Sequence, residues 1–227
     1  MKLVALALMG LSGTALAWPV DWSHDIEPSR EKFVKLPRVD WVEVDDSSVA
    51  QAEWIAPTND LVLVGLKPGR AVLLLGSEGK VAAWRLRVGG KPSLDDAVYG
   101  AAQKACPDFT VTPLEAVKLT VTVQNEACRV ALMALFQTDA FEARHLELTF
   151  DGAVLQTQLK VLQTAIDAVV KGRVTARYSG AGLVLNGSSV TRAQYTRILW
   201  AILKSTLGRF ALDPRMEIVE PARDAGR

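Results

Sequence analysis

The side chains best suited to chemistry in this 227-residue sequence are few: two cysteines, Cys106 and Cys128, and two histidines, His24 and His145. A zinc site needs about four such ligands, usually at short paired spacings, and these four residues are too scattered to suggest one. A serine nucleophile would be signalled by a Gly-x-Ser-x-Gly elbow, which the sequence lacks. Triad members need only meet in space, so a hydrolase gathering His145 with a serine or carboxylate is the enzymatic alternative. A histidine at the start of a strand more ordinarily has a surface or capping role. There is no phosphate-cradling loop, and the glycines Gly65 and Gly69 are not followed by a helix that would aim amides at phosphate. Asp45 and Asp46 supply two carboxylates where calcium takes about six to eight oxygens, and a solvated turn is expected there. Arg192, Arg197 and Lys204 share one predicted helix and could meet lipid headgroups or peptidoglycan, although a solvated helix face is the commoner outcome. No catalytic, cofactor-binding or metal-binding residue is assigned, and the chain is expected not to be an enzyme.

The N-terminus sets the compartment. Met1–Ala17 carries one early charge, Lys2, an apolar run over Leu3–Leu11, and Ala15-Leu16-Ala17, the small-residue pattern of a signal peptidase site. Cleavage is expected between Ala17 and Trp18. The apolar run is well short of the roughly 20 residues that span a bilayer, and no cysteine follows the cleavage site to accept lipid. The full chain has 26 Lys and Arg against 25 Asp and Glu, and loss of Lys2 leaves 25 of each. A neutral chain has no basic field for nucleic acid. No later run is long and apolar enough for a transmembrane segment in the mature protein. With 49% apolar residues the chain can build real cores, whereas 221–227 has nothing to bury and is expected to be disordered.

The elements that position these residues divide by period. Residues 18–31 form an extended leader holding Trp18, Trp22 and His24. Strand candidates follow at 32–36, 39–44, 49–55, 61–67, 70–75 and 81–88, making a β-rich module over 32–90. In the last of them Trp84, Leu86 and Val88 share a face that can enter the core. The apolar runs Leu61–Val64 and Ala71–Leu75 flank Lys67-Pro68-Gly69, where proline presets φ and glycine permits a positive one, so a hairpin is expected. After Gly89-Gly90-Lys91-Pro92 the period becomes 3.6. A helix capped by Ser93 runs to Cys106, strands lie at 109–112 and 117–123, a helix runs from after Asn125 to near Phe136, and a strand covers His145–Phe150. The order then recurs. Leu155, Leu159, Leu162, Ile166 and Val169 mark a helix face, strands lie at 173–178 and 182–186, and Thr191–Gln194 opens a capped helix carrying Tyr195 and Leu199. Met216–Val219 is expected to close the unit. The fold class is therefore α+β: a small β-rich domain, then αββαβ units at 93–150 and 152–220.

Residues 29–90 resemble the N-terminal domain of pilus-assembly proteins, a β-rich module at the periplasmic end of secretin channels and tight-adherence pilus machinery. The resemblance rests on Lys35-Leu36-Pro37, Val44–Ala50, Leu61–Leu75 with its turn Gly65, Pro68 and Gly69, and Gly79-Lys80 leading to Trp84–Val88. Asp46-Ser47 and Arg70-Ala71 depart from the family's turn residues. The second unit, 152–220, and particularly Gly182–Val190 entering its helix, resembles a BON domain, an αβ module that accompanies secretins and some envelope-binding proteins. These resemblances imply a noncatalytic periplasmic scaffold or accessory protein of a pilus or secretion system. Its partners would be a secretin or other envelope components, and self-association into a homo-oligomer is compatible with that role. The alternative they leave open is an envelope protein that binds phospholipid or peptidoglycan.

Export also decides the cysteines. In an oxidising compartment an even count with no metal motif favours a bridge, and the topology brings Cys106 and Cys128 to one end of the first αβ unit. Closing that loop would stabilise the fold by about 3 kcal/mol in the chain-entropy model.

Overall fold

The computed structural model describes residues 20–90, 96–112, 118–138, 141, 145–180, 182–208 and 210–220, which form an α+β fold. Strands β1 (Trp22–Ile26), β2 (Glu31–Lys35), β3 (Trp41–Val44), β4 (Ala50–Ile55), β5 (Asp60–Gly65), β6 (Gly69–Ser77) and β7 (Lys80–Val88) build a sandwich. One sheet has the order β1-β7-β6-β3 and the other β2-β5-β4. Between them lie Leu61, Leu63, Leu73, Leu75, Trp84 and Leu86, all buried. The β6–β7 hairpin turns on Glu78 and Gly79, with φ of 50° and 76°, the paired positive values that match strand twist.

Two expectations for this module change. The segment read as a leader contributes β1, which lies parallel to β7 with Trp22 opposite Trp84 and Ile26 opposite Val88. Its mixed polar sequence hid the strand because β1 is an edge that buries chiefly Ile26. The Lys67-Pro68-Gly69 turn is not a hairpin. β5 bonds to β2 and β4, and β6 bonds to β3 and β7, so the turn carries the chain from one sheet to the other. Its flanking runs are continuously apolar because each strand is central in its own sheet.

Residues 96–150 contain α1 (Asp96–Ala105), β8 (Thr110–Thr112), β9 (Lys118–Val123), α2 (Glu126–Gln137) and β10 (His145–Phe150). Residues 152–215 repeat the order with α3 (Gly152–Val170), β11 (Val174–Ser179), β12 (Gly182–Gly187), α4 (Arg192–Ser205) and β14 (Ala211–Arg215), where β13 (Val190–Thr191) precedes α4. In both units the first two strands are antiparallel and the last lies parallel to the second. Asn125 caps α2, and Thr191 with Gln194 forms the anticipated capping box on α4. Ser93 and the linker residues Lys91 and Pro92 lie outside the described residues.

The closing strand of the second unit is 211–215 rather than 216–219. Pro214 concealed it, yet proline is tolerated on an edge strand, and β14 is the edge beside β12. Ile218–Val219 forms β15, which pairs in parallel with β13. The buried line of α3 is Val154, Gln158, Leu162, Ile166 and Val170, so Leu155, Leu159 and Val169 flank the stripe instead of centring it. Gln158 fits because its amide donates to the Tyr178 hydroxyl at 2.7 Å and accepts from the Leu207 amide at 2.7 Å.

The sandwich is covered on a second face. Val72, Leu74 and Ala83 share a core with Leu162, Ile166, Ile198 and Ile202 of the second unit, and Trp41 packs against it. The Arg85 side chain, from the same face, donates to the carbonyls of Phe136 (3.1 Å) and Phe141 (3.3 Å) in the first unit. Among the described residues no helix is long and apolar enough to cross a membrane.

Candidate functional site

Cys106 and Cys128 form a disulfide with Cα atoms 5.0 Å apart, both fully buried. The bridge joins the end of α1 to the first turn of α2, where the Cys128 amide also donates to the Asn125 side chain at 3.0 Å. It therefore fixes a helix pair in a core and offers no thiol for catalysis. Gly65 and Gly69 serve packing. A Cβ on Gly65 would stand 2.8 Å from the Glu27 carbonyl oxygen, and one on Gly69, whose φ is +157°, would meet Val49 at 3.1 Å. Pro68 is exposed between them. Ala17 and Trp18 lie outside the described residues. His145 opens β10 opposite Lys118.

Asp45 and Asp46 are both engaged. The Asp45 carboxylate accepts from the Val72 amide at 2.7 Å, and Asp46 accepts from the Ser48 amide at 3.0 Å and from the Ser48 hydroxyl. These bonds from Ser48 hold the Asp46 carboxyl below the usual carboxylate range. Asp46 thus builds the turn between β3 and β4. Among the described residues no group of three or more His, Cys, Asp or Glu side chains could hold a metal ion.

The cationic strip of α4 is broken up. The Arg192 guanidinium is bonded to Glu220. Arg197 and Lys204 border a cleft of about 400 Å3 whose opposite wall includes Glu43 and Asp45, and Lys204 sits 5.8 Å from the Trp200 ring. Carboxylates of the sandwich face these cations, which weakens the case for an anionic surface binding there.

A larger shallow groove, about 670 Å3, lies on the β2-β5-β4 sheet and along β3. Cross-strand register places Phe33, Val62 and Glu53 in one row, and Glu31, Val64 and Gln51 in the next. Phe33 is 59% exposed, and Ile55 and Leu66 are exposed nearby. Lys35 in this sheet is held by Asp60 at 2.9 Å and by the Thr58 carbonyl at 2.9 Å. The sequence reading missed this surface. The available signal was the alternation of Glu31, Phe33 and Lys35 against Lys32 and Val34, which puts a phenylalanine in the solvent-facing register.

No protein-family model matches the sequence, and no curated protein is similar to it. Among solved structures, a chain from structural studies of CdsD, a structural protein of the type III secretion system of Chlamydia trachomatis, is similar at 13% identity. The likeness covers 60% of this chain and 68% of that one, with a TM-score of 0.26. A score that low establishes neither a shared fold nor a shared role.

Proposed function

We propose that the protein is a noncatalytic periplasmic scaffold or accessory component of a pilus-assembly or secretin-associated secretion system. The observation that carries this reading is the outer face of the β2-β5-β4 sheet, where Phe33 and Ile55 are exposed beside β2 and β4, each bonded to β5 alone among the described strands. A rigid sheet face with an unpaired border suits protein association and needs no reactive side chain. The resemblance of 29–90 to the pilus-assembly N-terminal domain and of 152–220 to a BON domain gives the partner class. The buried disulfide fits an exported chain, and the Ala17/Trp18 cleavage site supplies the route.

Cross-linking in the native host tests the reading. The expected result is capture of a secretin or another pilus or secretion component. A chain recovered only as an uncross-linked monomer, or only with sedimented phospholipid vesicles or sacculi, would overturn it. The expected mature chain begins at Trp18, which intact-mass measurement of the periplasmic fraction checks. Recovery of a chain still beginning at Met1 in the membrane fraction would remove the export argument.

A further inference from the structure

We propose that the free edge of β4 takes an extended partner segment of alternating apolar and basic residues as an added strand. This rests on the scaffold reading and names the surface through which it acts. Among the described strands β4 is bonded to β5 alone. The Leu66 amide donates to the Val49 carbonyl at 2.8 Å, so Val49 turns its carbonyl toward the β5 side. Antiparallel bonding alternates residue by residue. Gln51, Glu53 and Ile55 therefore also face β5, and Ala52 and Trp54 direct their amides and carbonyls to the open edge. Such a row is a template for a further strand.

What borders the edge selects the chemistry of the occupant. On one side Val42 and Val44 of β3 belong to the rim of the sandwich core yet are only half-buried, and apolar side chains of an added strand would cover them. On the other side the outer face offers Phe33 and Ile55 among Glu31 and Glu53. Glu31 and Glu53 are exposed, and among the described residues neither forms an ion pair, while Lys35 is already neutralised by Asp60. The local field is acidic, so lysine or arginine at alternate positions complements it and acidic residues are repelled. The same alternation satisfies both sides of a strand at once.

The test uses the mature chain and fluorescein-labelled, end-capped peptides read by anisotropy at low salt. One probe alternates lysine and valine, a second alternates glutamate and valine, and a third is the lysine probe with every second amide N-methylated. The lysine probe is expected to bind, and the other two to bind at least about tenfold more weakly. The double variant Glu31→Lys, Glu53→Lys, whose sites are exposed and whose fold is checked by circular dichroism, is expected to lose about tenfold for the lysine probe. Failure of the lysine probe to bind, equal binding of the N-methylated probe, or unchanged affinity of the double variant would overturn the proposal. So would self-association of the chain abolished by Glu53→Lys, which would assign the edge to a second copy. Envelope cross-links retained by the double variant would overturn this site and leave the scaffold reading standing, whereas their absence from the wild-type chain would overturn that reading itself.

Discussion

Replacing Gly76 with alanine should loosen the contact between the sandwich and the second αβ unit. Gly76 lies opposite Trp41 across the β3–β6 pair, and the Trp41 indole covers the glycine. A Cβ there would stand 2.0 Å from Nε1, 2.1 Å from Cε2 and 2.7 Å from Cδ1. Carbon atoms pack at about 3.5–4.0 Å, so the ring has to retreat by about 1.5 Å. Trp41 also packs against the core formed by α3 and α4, so the retreat disturbs that interface. Overpacking of this kind costs about 1–3 kcal/mol. For a chain of this size each kcal/mol lowers Tm by about 2–4 °C, giving an expected fall of about 2–12 °C. Thermal unfolding followed by tryptophan fluorescence reads it, with Gly90→Ala as the control because a Cβ there meets nothing within 4 Å. Adding Trp41→Leu to Gly76→Ala should recover part of the loss, since the clash and its relief involve one pair. A Gly76→Ala protein melting within about 1 °C of wild type would refute the reasoning, because the shift expected for this size class is larger.

Removing the bridge with Cys106→Ala and Cys128→Ala should cost about 3 kcal/mol in urea unfolding, and alkylation of the unreduced, denatured wild-type chain should label neither cysteine. Gln158→Leu leaves the buried Leu207 amide and the Tyr178 hydroxyl without their partner, and a loss of about 2–4 kcal/mol is expected by chemical denaturation. Hydrogen bonds from Arg87 and Arg129 hold the Asp25 and Glu126 carboxyls below their ordinary values. Their contribution is complete above the unfolded carboxylate pKa of about 4 and is lost as pH falls through the lowered folded values. Stability should thus be flat in these groups near neutrality and drop in acid. Asp25→Asn should remove part of that drop, a part under about 1 kcal/mol because the carboxylate is solvent-exposed.

The sequence made individual elements legible wherever one side of an element met water. Alternation exposed Trp84, Leu86 and Val88 as a core face, and the Thr191–Gln194 box located α4 to the residue. The repeated order of helix, two strands, helix and strand was readable because each unit uses its own hydrophobic face. Sheet membership was harder. Leu61–Val64 and Ala71–Leu75 look like two arms of a hairpin, since a turn of Pro68 and Gly69 carries the same local geometry whether the next strand pairs back or crosses over. Partners distant in sequence decide that question. Polar residues in structural roles were also hidden: Gln158 occupies a core position because two hydrogen bonds make it affordable there, and Arg85 is buried on β7 because carbonyls of the first αβ unit receive it. The groove on the β2-β5-β4 sheet needed three strands aligned in register before its rows appeared.

The shared core between the β6-β7 face and the second αβ unit has a bearing on how the chain reaches its final form. Val72, Leu74 and Ala83 are covered by Leu162, Ile198 and Ile202, which follow them by the whole of the first unit. A chain that emerges N-terminus first completes its sandwich strands while the helices that roof them are still to come. For that interval an apolar sheet face is open to solvent, a condition that invites aggregation. The same holds for any truncation ending at Gly90: the fragment would contain every strand of the sandwich and still present a sticky surface. Soluble expression of the isolated sandwich would therefore call for polar replacements at Val72 and Leu74, and in the cell the incomplete chain is a natural client for a holding chaperone.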